Sequence, residues 1–163
     1  MNSTKKLTIS AMVVAAYIVL LYLTQSVSFG AYQIRIATSL YALAYAFPFL
    51  MVPMGVANLI SNLLFGGLGP IDMIGGFLVG IGTTGLIVLI RKYNLSIWWV
   101  ALSIILVPAL GVSLWLSYLL HIPYSALVVN LAIGQTVPAV VGTILVRTLV
   151  RRPVMASLFG LIK

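Results

Sequence analysis

Residues 35–53 read RIATSLYALAYAFPFLMVP, and how they are read decides the fold. The run is apolar enough to enter a membrane, yet it opens on a charge, Arg35, and is cut by Pro48 and Pro53. A charged side chain at the centre of a membrane helix costs about 2.5–3.5 kcal/mol on insertion scales. Arg35 therefore belongs at the end of a span, or inside a bundle where it has work to do. Proline ends one helix and can open the next, so the PFLMVP corner predicts a tight turn between a second span at 35–50 and a third at 53–65. The two short segments also fit a single re-entrant hairpin.

Composition agrees with a membrane setting. Of 163 residues, 63% are hydrophobic and only 6% are charged, against about a quarter in soluble domains. Nine Lys and Arg with one acidic residue cannot furnish a water-soluble surface. The net charge of +8 comes from short basic clusters between apolar runs, the pattern of topology-setting charges and not of nucleic-acid binding. With no Cys, one His and one Asp, disulfides, thiolate catalysis, multi-ligand metal sites and carboxylate dyads are excluded.

A helical span takes about 20 mostly apolar residues. Further candidates run over residues 7–28, 71–90, 97–119 and 124–149, giving an all-α integral membrane protein of six transmembrane helices in a single domain, 1–163. Six crossings put both termini on one side. With that side cytoplasmic, Lys5, Lys6, Arg91, Lys92, Arg147, Arg151, Arg152 and Lys163 all lie inside, and Arg35 alone does not. The apolar run after Lys5-Lys6 is long for a signal peptide, so cleavage is not expected.

On this topology Arg35 and Asp72 meet at the outer face. They form a structural ion pair, line a pocket open to the outside, or do both. Asn58 and Asn62 are four apart and share a helix face. Asn130, Gln135, Gln33, Thr38, Tyr41 and Trp115 complete the candidate substrate-binding set, with His121, Tyr118 and Tyr124 at the outer ends. Amides within spans also serve as helix–helix hydrogen bonds, and interfacial Trp and Tyr as belt residues. The stretch FGGLGPIDMIGGFLVGIGTTG (65–85) has no Lys-Ser/Thr after its glycines and is not a P-loop; Gly75, Gly76, Gly80 and Gly82 predict close helix packing instead. Ala11 and Ala15 form a small-xxx-small pair for another helix, of this chain or of a second protein. The tail RRPVMASLFGLIK (151–163) suits an interfacial anchor or a partner contact.

The layout, together with Ala-xxx-Ala in the first helix, resembles the substrate-binding S components of energy-coupling factor (ECF) transporters. More narrowly, QIRIATSLYALAYAFPFL (33–50) and GVANLISNLLFGGLGPIDMIGG (55–76) resemble the QueT family, with its Arg-Ile-Ser-Glu-Ala-Leu motif and Gly-Gly-x-Gly-x-x-Asp loop. The resemblance implies a non-enzymatic, high-affinity binder of a queuosine precursor, a 7-deazaguanine base or queuine, in a prokaryotic plasma membrane. It implies no cofactor in this chain. It implies partners too: a transmembrane coupling subunit met by Ala11 and Ala15, and two ATPases that use ATP. Arg35 and Asp72 would stand at or beside the pocket. Thr38 occupies the position of the family's Glu, which bears on substrate identity. The competing classes are a stand-alone secondary transporter, for which no internal repeat is evident, a membrane enzyme, which lacks the needed side chains, and a scaffold that binds nothing.

Overall fold

The computed structural model describes residues 1–30, 32–66 and 68–151. Arg152, Lys163 and the tail they belong to lie outside the described residues. Every regular element among the described residues is helical. Five helical stretches are long and apolar enough to cross a membrane. They are α1 (Ser3–Leu23), the stretch Pro48–Gly66, α5 (Pro70–Lys92), α6 (Trp98–Leu120) and α7 (Tyr124–Arg151). Pro48–Gly66 is composite: a 3-10 turn, Pro48–Leu50, leads into α4 (Met51–Ser61), which ends in a π turn, Asn62–Gly66.

The first span begins and ends earlier than the sequence predicts, at Ser3–Leu23 and not 7–28. α1 stops at Leu23, and after Thr24 a separate helical turn, α2 (Gln25–Ser28), follows. The larger departure is the predicted second span. It consists of a 3-10 helix, Ile36–Ala42, continued by one α turn, α3 (Leu43–Ala46). At about 2.0 Å per 3-10 residue and 1.5 Å per α residue, it reaches roughly 20 Å, short of a hydrocarbon core of about 30 Å.

This short rod survives because it is wrapped. It touches α1, α5, α6 and α7, and Ala37, Thr38, Ser39, Tyr41, Ala42 and Ala44 are all buried. Irregular backbone at membrane depth is tolerated only inside protein. α3 ends against Arg91, which donates to the carbonyls of Tyr45 and Ala46 at 3.0 and 2.9 Å. A cation satisfying the last carbonyls of a helix is favourable both as a cap and against the helix dipole. Arg147 lies over the Trp98 ring at the same end, so two residues read as topology-setting charges also hold the bundle together.

Around the rod the neighbours run α1–α4–α5–α6–α7. α4 crosses close on α5, where a Cβ on Gly80 would come within 2.9 Å of the Gly55 Cα. Gly82 has no such role, since a Cβ there meets only Val107 at 3.8 Å. Gly80→Val should force α4 from α5, costing about 1–3 kcal/mol of stability. Thermal unfolding of the detergent-purified protein would show this as a fall in Tm, whereas Gly82→Ala should leave Tm unchanged.

Candidate functional site

The chain passes from α2 to the 3-10 helix through a non-helical stretch at Gln33, Ile34 and Arg35. Gln33 holds a left-handed backbone, φ 45°, which is uncommon outside glycine and costs of order 1–3 kcal/mol. The carbonyls of Gln33 and Ile34 lie outside any helical ladder in an apolar bundle, that of Arg35 accepts from the Thr38 N–H at 2.9 Å, and three side chains reach the run. Gln135 Nε2 donates to the Gln33 carbonyl at 3.4 Å, Ser28 Oγ to that of Ile34 at 3.4 Å, and Thr38 Oγ1 lies 2.7 Å from that of Arg35. α7 admits the stretch because residue 134 is glycine: a Cβ there would run into the Tyr32 carbonyl oxygen. Pro138 lies four residues further along α7 and, lacking an N–H, leaves the Gly134 carbonyl without its helical partner.

The Arg35 side chain turns into the bundle and is 6% exposed. Its terminal nitrogens donate to Asn58 Oδ1 at 3.1 Å and Asn62 Oδ1 at 2.5 Å, and the guanidinium lies 4.8 Å over the Phe29 ring. Both amides are fixed in orientation, because arginine only donates and carbonyls only accept. Asn58 Nδ2 serves the Tyr41 hydroxyl at 2.8 Å and the Gly76 carbonyl at 2.9 Å; Asn62 Nδ2 serves the Asp72 carbonyl at 2.9 Å. Gly76 makes room for both, since a Cβ there would come within 2.6 Å of Asn62 Nδ2. Tyr41 in turn stacks on Tyr17, with the two hydroxyls 3.3 Å apart.

Arg35 and Asp72 form no ion pair. The Asn62 amide stands between the guanidinium and the Asp72 backbone, and the Asp72 carboxylate accepts from Trp115 Nε1 at 3.0 Å. The Trp115 indole reaches it by packing over Gly75, where a Cβ would meet the ring at 2.8 Å. Asp72 lies in the first turn of α5, where a negative charge is favoured by the helix dipole. The two costly charges are thus each held by uncharged groups, joined through one amide, with Arg35 Nε left over.

Beside this network is a cavity lined by Gln33, Arg35, Thr38, Tyr41, Asn58 and Gln135, and closed by the apolar side chains Val79, Pro108, Val112 and Leu131. Its volume is about 10 Å³, room for the centre of roughly one water molecule. A wider depression of about 240 Å³ adjoins it at the same end of the bundle and shares Gln33, with Phe29, Gly66, Leu68 and Leu127 among its walls. Gln33 therefore lies between the two spaces.

One hydrogen-bonding deficit remains at the cavity. Arg35 Nε is buried without a partner. The Arg35 carbonyl accepts from the Thr38 N–H at 2.9 Å, so the one proton of Thr38 Oγ1, 2.7 Å from that carbonyl, is available to Gln135 Oε1 at 2.8 Å. An unpaired donor and the Gln135 carbonyl, bonded once and able to accept again, therefore border the same space.

Of the residues singled out from sequence, Arg35, Thr38, Tyr41, Asn58, Gln33 and Gln135 line the cavity. Asn62, Asp72 and Trp115 stand behind it as supports. Asn130, half-buried on α7, is not among the lining residues, and His121 is an exposed left-handed residue after α6. Tyr118 and Tyr124 are exposed as well. Ala11 and Ala15 are exposed on α1. Sequence reasoning missed Phe29, Tyr17 and the apolar wall; no local pattern distinguishes these from other core or lipid-facing residues.

A bundle of lipid-compatible helices holding a polar cavity near one end is the architecture of a multi-pass membrane protein. The sequence profile of the QueT transporter family matches residues 7–151, and the chain belongs to that family. No curated protein and no solved structure matches the chain. Asn58→Leu removes an acceptor from the buried guanidinium and should cost about 2–4 kcal/mol, read as a fall of several degrees in Tm. Asn130→Leu should leave Tm within a degree or two.

Proposed function

We propose that this transporter is the S component of an ECF importer, binding a 7-deazaguanine base or a related queuosine precursor from outside a prokaryotic cell. It forms one six-crossing domain with both termini cytoplasmic, the second crossing being the wrapped rod Ile36–Ala46 with its non-helical lead at 33–35. The transmembrane coupling subunit docks on the α1 face that carries Ala11 and Ala15, and two ATPases use the ATP. The chain itself performs no chemical step and holds no cofactor.

One observation carries the reading. Arg35 Nε offers an unpaired donor, and the Gln135 carbonyl, bonded once by Thr38, keeps room for a second donor, beside one small space. A lactam edge, an acceptor carbonyl beside a donor N–H, complements that order of groups, and guanine-type bases present such an edge. Unpaired buried groups also give the strongest discrimination, because an analogue that leaves them unmatched costs their full desolvation. Tyr41 and the apolar wall would hold the faces of the ring, as in most small-molecule sites.

Ligand pockets run to about 300–1,000 Å³, so a base cannot enter until a wall moves. The wall with least helical support is the stretch at 33–35, held by bonds of 3.4 Å and a left-handed Gln33. Outward motion of that stretch would join the cavity to the adjoining depression. The small volume also favours a second reading, a scaffold that binds nothing.

A titration separates the two. A 7-deazaguanine base at about 100 times its Kd should stabilise the purified protein by roughly 2.7 kcal/mol, and Arg35→Ala should abolish the shift. No shift with any deazapurine would leave the scaffold. Topology has its own test, since the chain has no cysteine to remove. Single cysteines at Asn94 and Ser3 should react with an impermeant maleimide only after cells are opened, and one at His121 in intact cells. Labelling of all three from the same side would sink the six-crossing arrangement.

A further inference from the structure

The seam between α5 and α6 carries a groove of about 400 Å³ that is separate from the network around Arg35. Its walls include Leu86 and Leu89 of α5 and Leu102 of α6, with Tyr93 and Trp99 at the Lys92 end. Ser103, the small polar side chain in the lining, already donates to the Trp99 carbonyl at 3.0 Å. The groove therefore requires no polar group of its occupant. Along α6 it runs from Trp99 to Val107, eight residues on or about 12 Å. That is close to the depth of one leaflet, half of a hydrocarbon core of about 30 Å. Helices that pack closely in a membrane do so on small residues, and the lining holds no glycine or alanine. A flexible hydrocarbon chain follows such a wall better than a second helix about 10–12 Å across.

The mouth of the groove is positive. Lys92 Nζ lies 5.9 Å from the centroid of the Tyr93 ring, and both residues are exposed. Arg91 is turned inward onto the carbonyls of Tyr45 and Ala46, which leaves the Lys92 ammonium at the end of the groove. Asp72, the chain's one acidic side chain, stands twenty residues back along α5, about 30 Å away. We propose that the groove is a lipid site: it seats one acyl chain of an anionic phospholipid, with the headgroup phosphate against Lys92. The Tyr93 and Trp99 rings then stand at headgroup depth, where such rings settle, and a basic residue beside a groove between spans attracts an anionic headgroup. The site does not rest on the importer reading above. α1 packs on α4 and the 3-10 rod, so a protein docked on α1 and a lipid held between α5 and α6 occupy different faces.

The experiment offers the full-length purified chain, in mild detergent, an equimolar mixture of dioleoyl phosphatidylglycerol and dioleoyl phosphatidylcholine. Native mass spectrometry then reads which lipid is retained. Phosphatidylglycerol should be favoured by about fivefold, the worth of one basic residue beside a headgroup. Lys92→Gln should bring the two lipids to parity, whereas Lys5→Gln, which removes an exposed lysine from α1, should leave the preference intact. Leu102→Trp, which fills the groove, should lower retention of both lipids severalfold. Parity on the unaltered chain, or a preference that Lys92→Gln lowers no more than Lys5→Gln does, overturns the headgroup assignment. Undiminished retention in Leu102→Trp overturns the groove as the seat of the chain. Should Leu102→Trp fail to fold, the two lysine variants, both altered at exposed positions, still decide between a site at Lys92 and general attraction to a basic protein.

Discussion

The structure depends on a guanidinium buried in a membrane protein without a carboxylate partner. Desolvating a cation costs several kcal/mol even after relaxation, and here neutral groups offset it. Asn58 and Asn62 accept from Arg35, hand their own protons to Tyr41, Gly76 and Asp72, and are thereby locked. That chain of bonds ties the stretch before the 3-10 helix to α4 and α5, and through Trp115 to α6. Gly75 and Gly76 are small because an indole and two amides occupy the space above them.

A second constraint follows from the first. For Arg35 to face inward, the chain before it must stay non-helical where water is absent, which leaves carbonyls to be satisfied one by one. Gln135 and Thr38 perform that task and in doing so become cavity walls. The features that stabilise the irregular backbone and the features that border the cavity are thus the same side chains. A polar network that closes completely rigidifies a core, and one left open by a buried donor, here Arg35 Nε, is a costly arrangement. Its persistence beside a space is the physical ground for treating it as a recognition site. The π turn that begins at Asn62 fits the same picture, since such turns gather at functional positions.

Much of the candidate site was legible from residues that are expensive in a membrane. Arg35, Thr38, Asn58 and Gln135 stand out because each needs a partner that lipid cannot provide. Asp72 stands out for the same reason, yet its pairing with Arg35 was misjudged. Sequence shows that one cation and one anion share an end of the bundle; it does not show that an amide lies between them. Phe29 and Tyr17 were illegible, because an aromatic ring that stacks on a guanidinium or on a tyrosine looks in sequence like any other apolar residue.

The sequence alone determined that this is a helical membrane protein, with basic clusters at helix ends and a short, proline-cut segment after its first helix. Those conclusions rest on composition and on run length against bilayer thickness, which are local properties of the chain. Tertiary structure decided the rest. It made the segment 36–46 a wrapped rod of mostly 3-10 helix, replaced an expected ion pair with an amide relay, and set the volume of the cavity. The reason is that burial, and not propensity, settles the conformation of a short segment. What a buried polar group bonds to depends on which helices pack against it, and close approaches at Gly55, Gly80 and Gly134 bring together residues far apart in the chain.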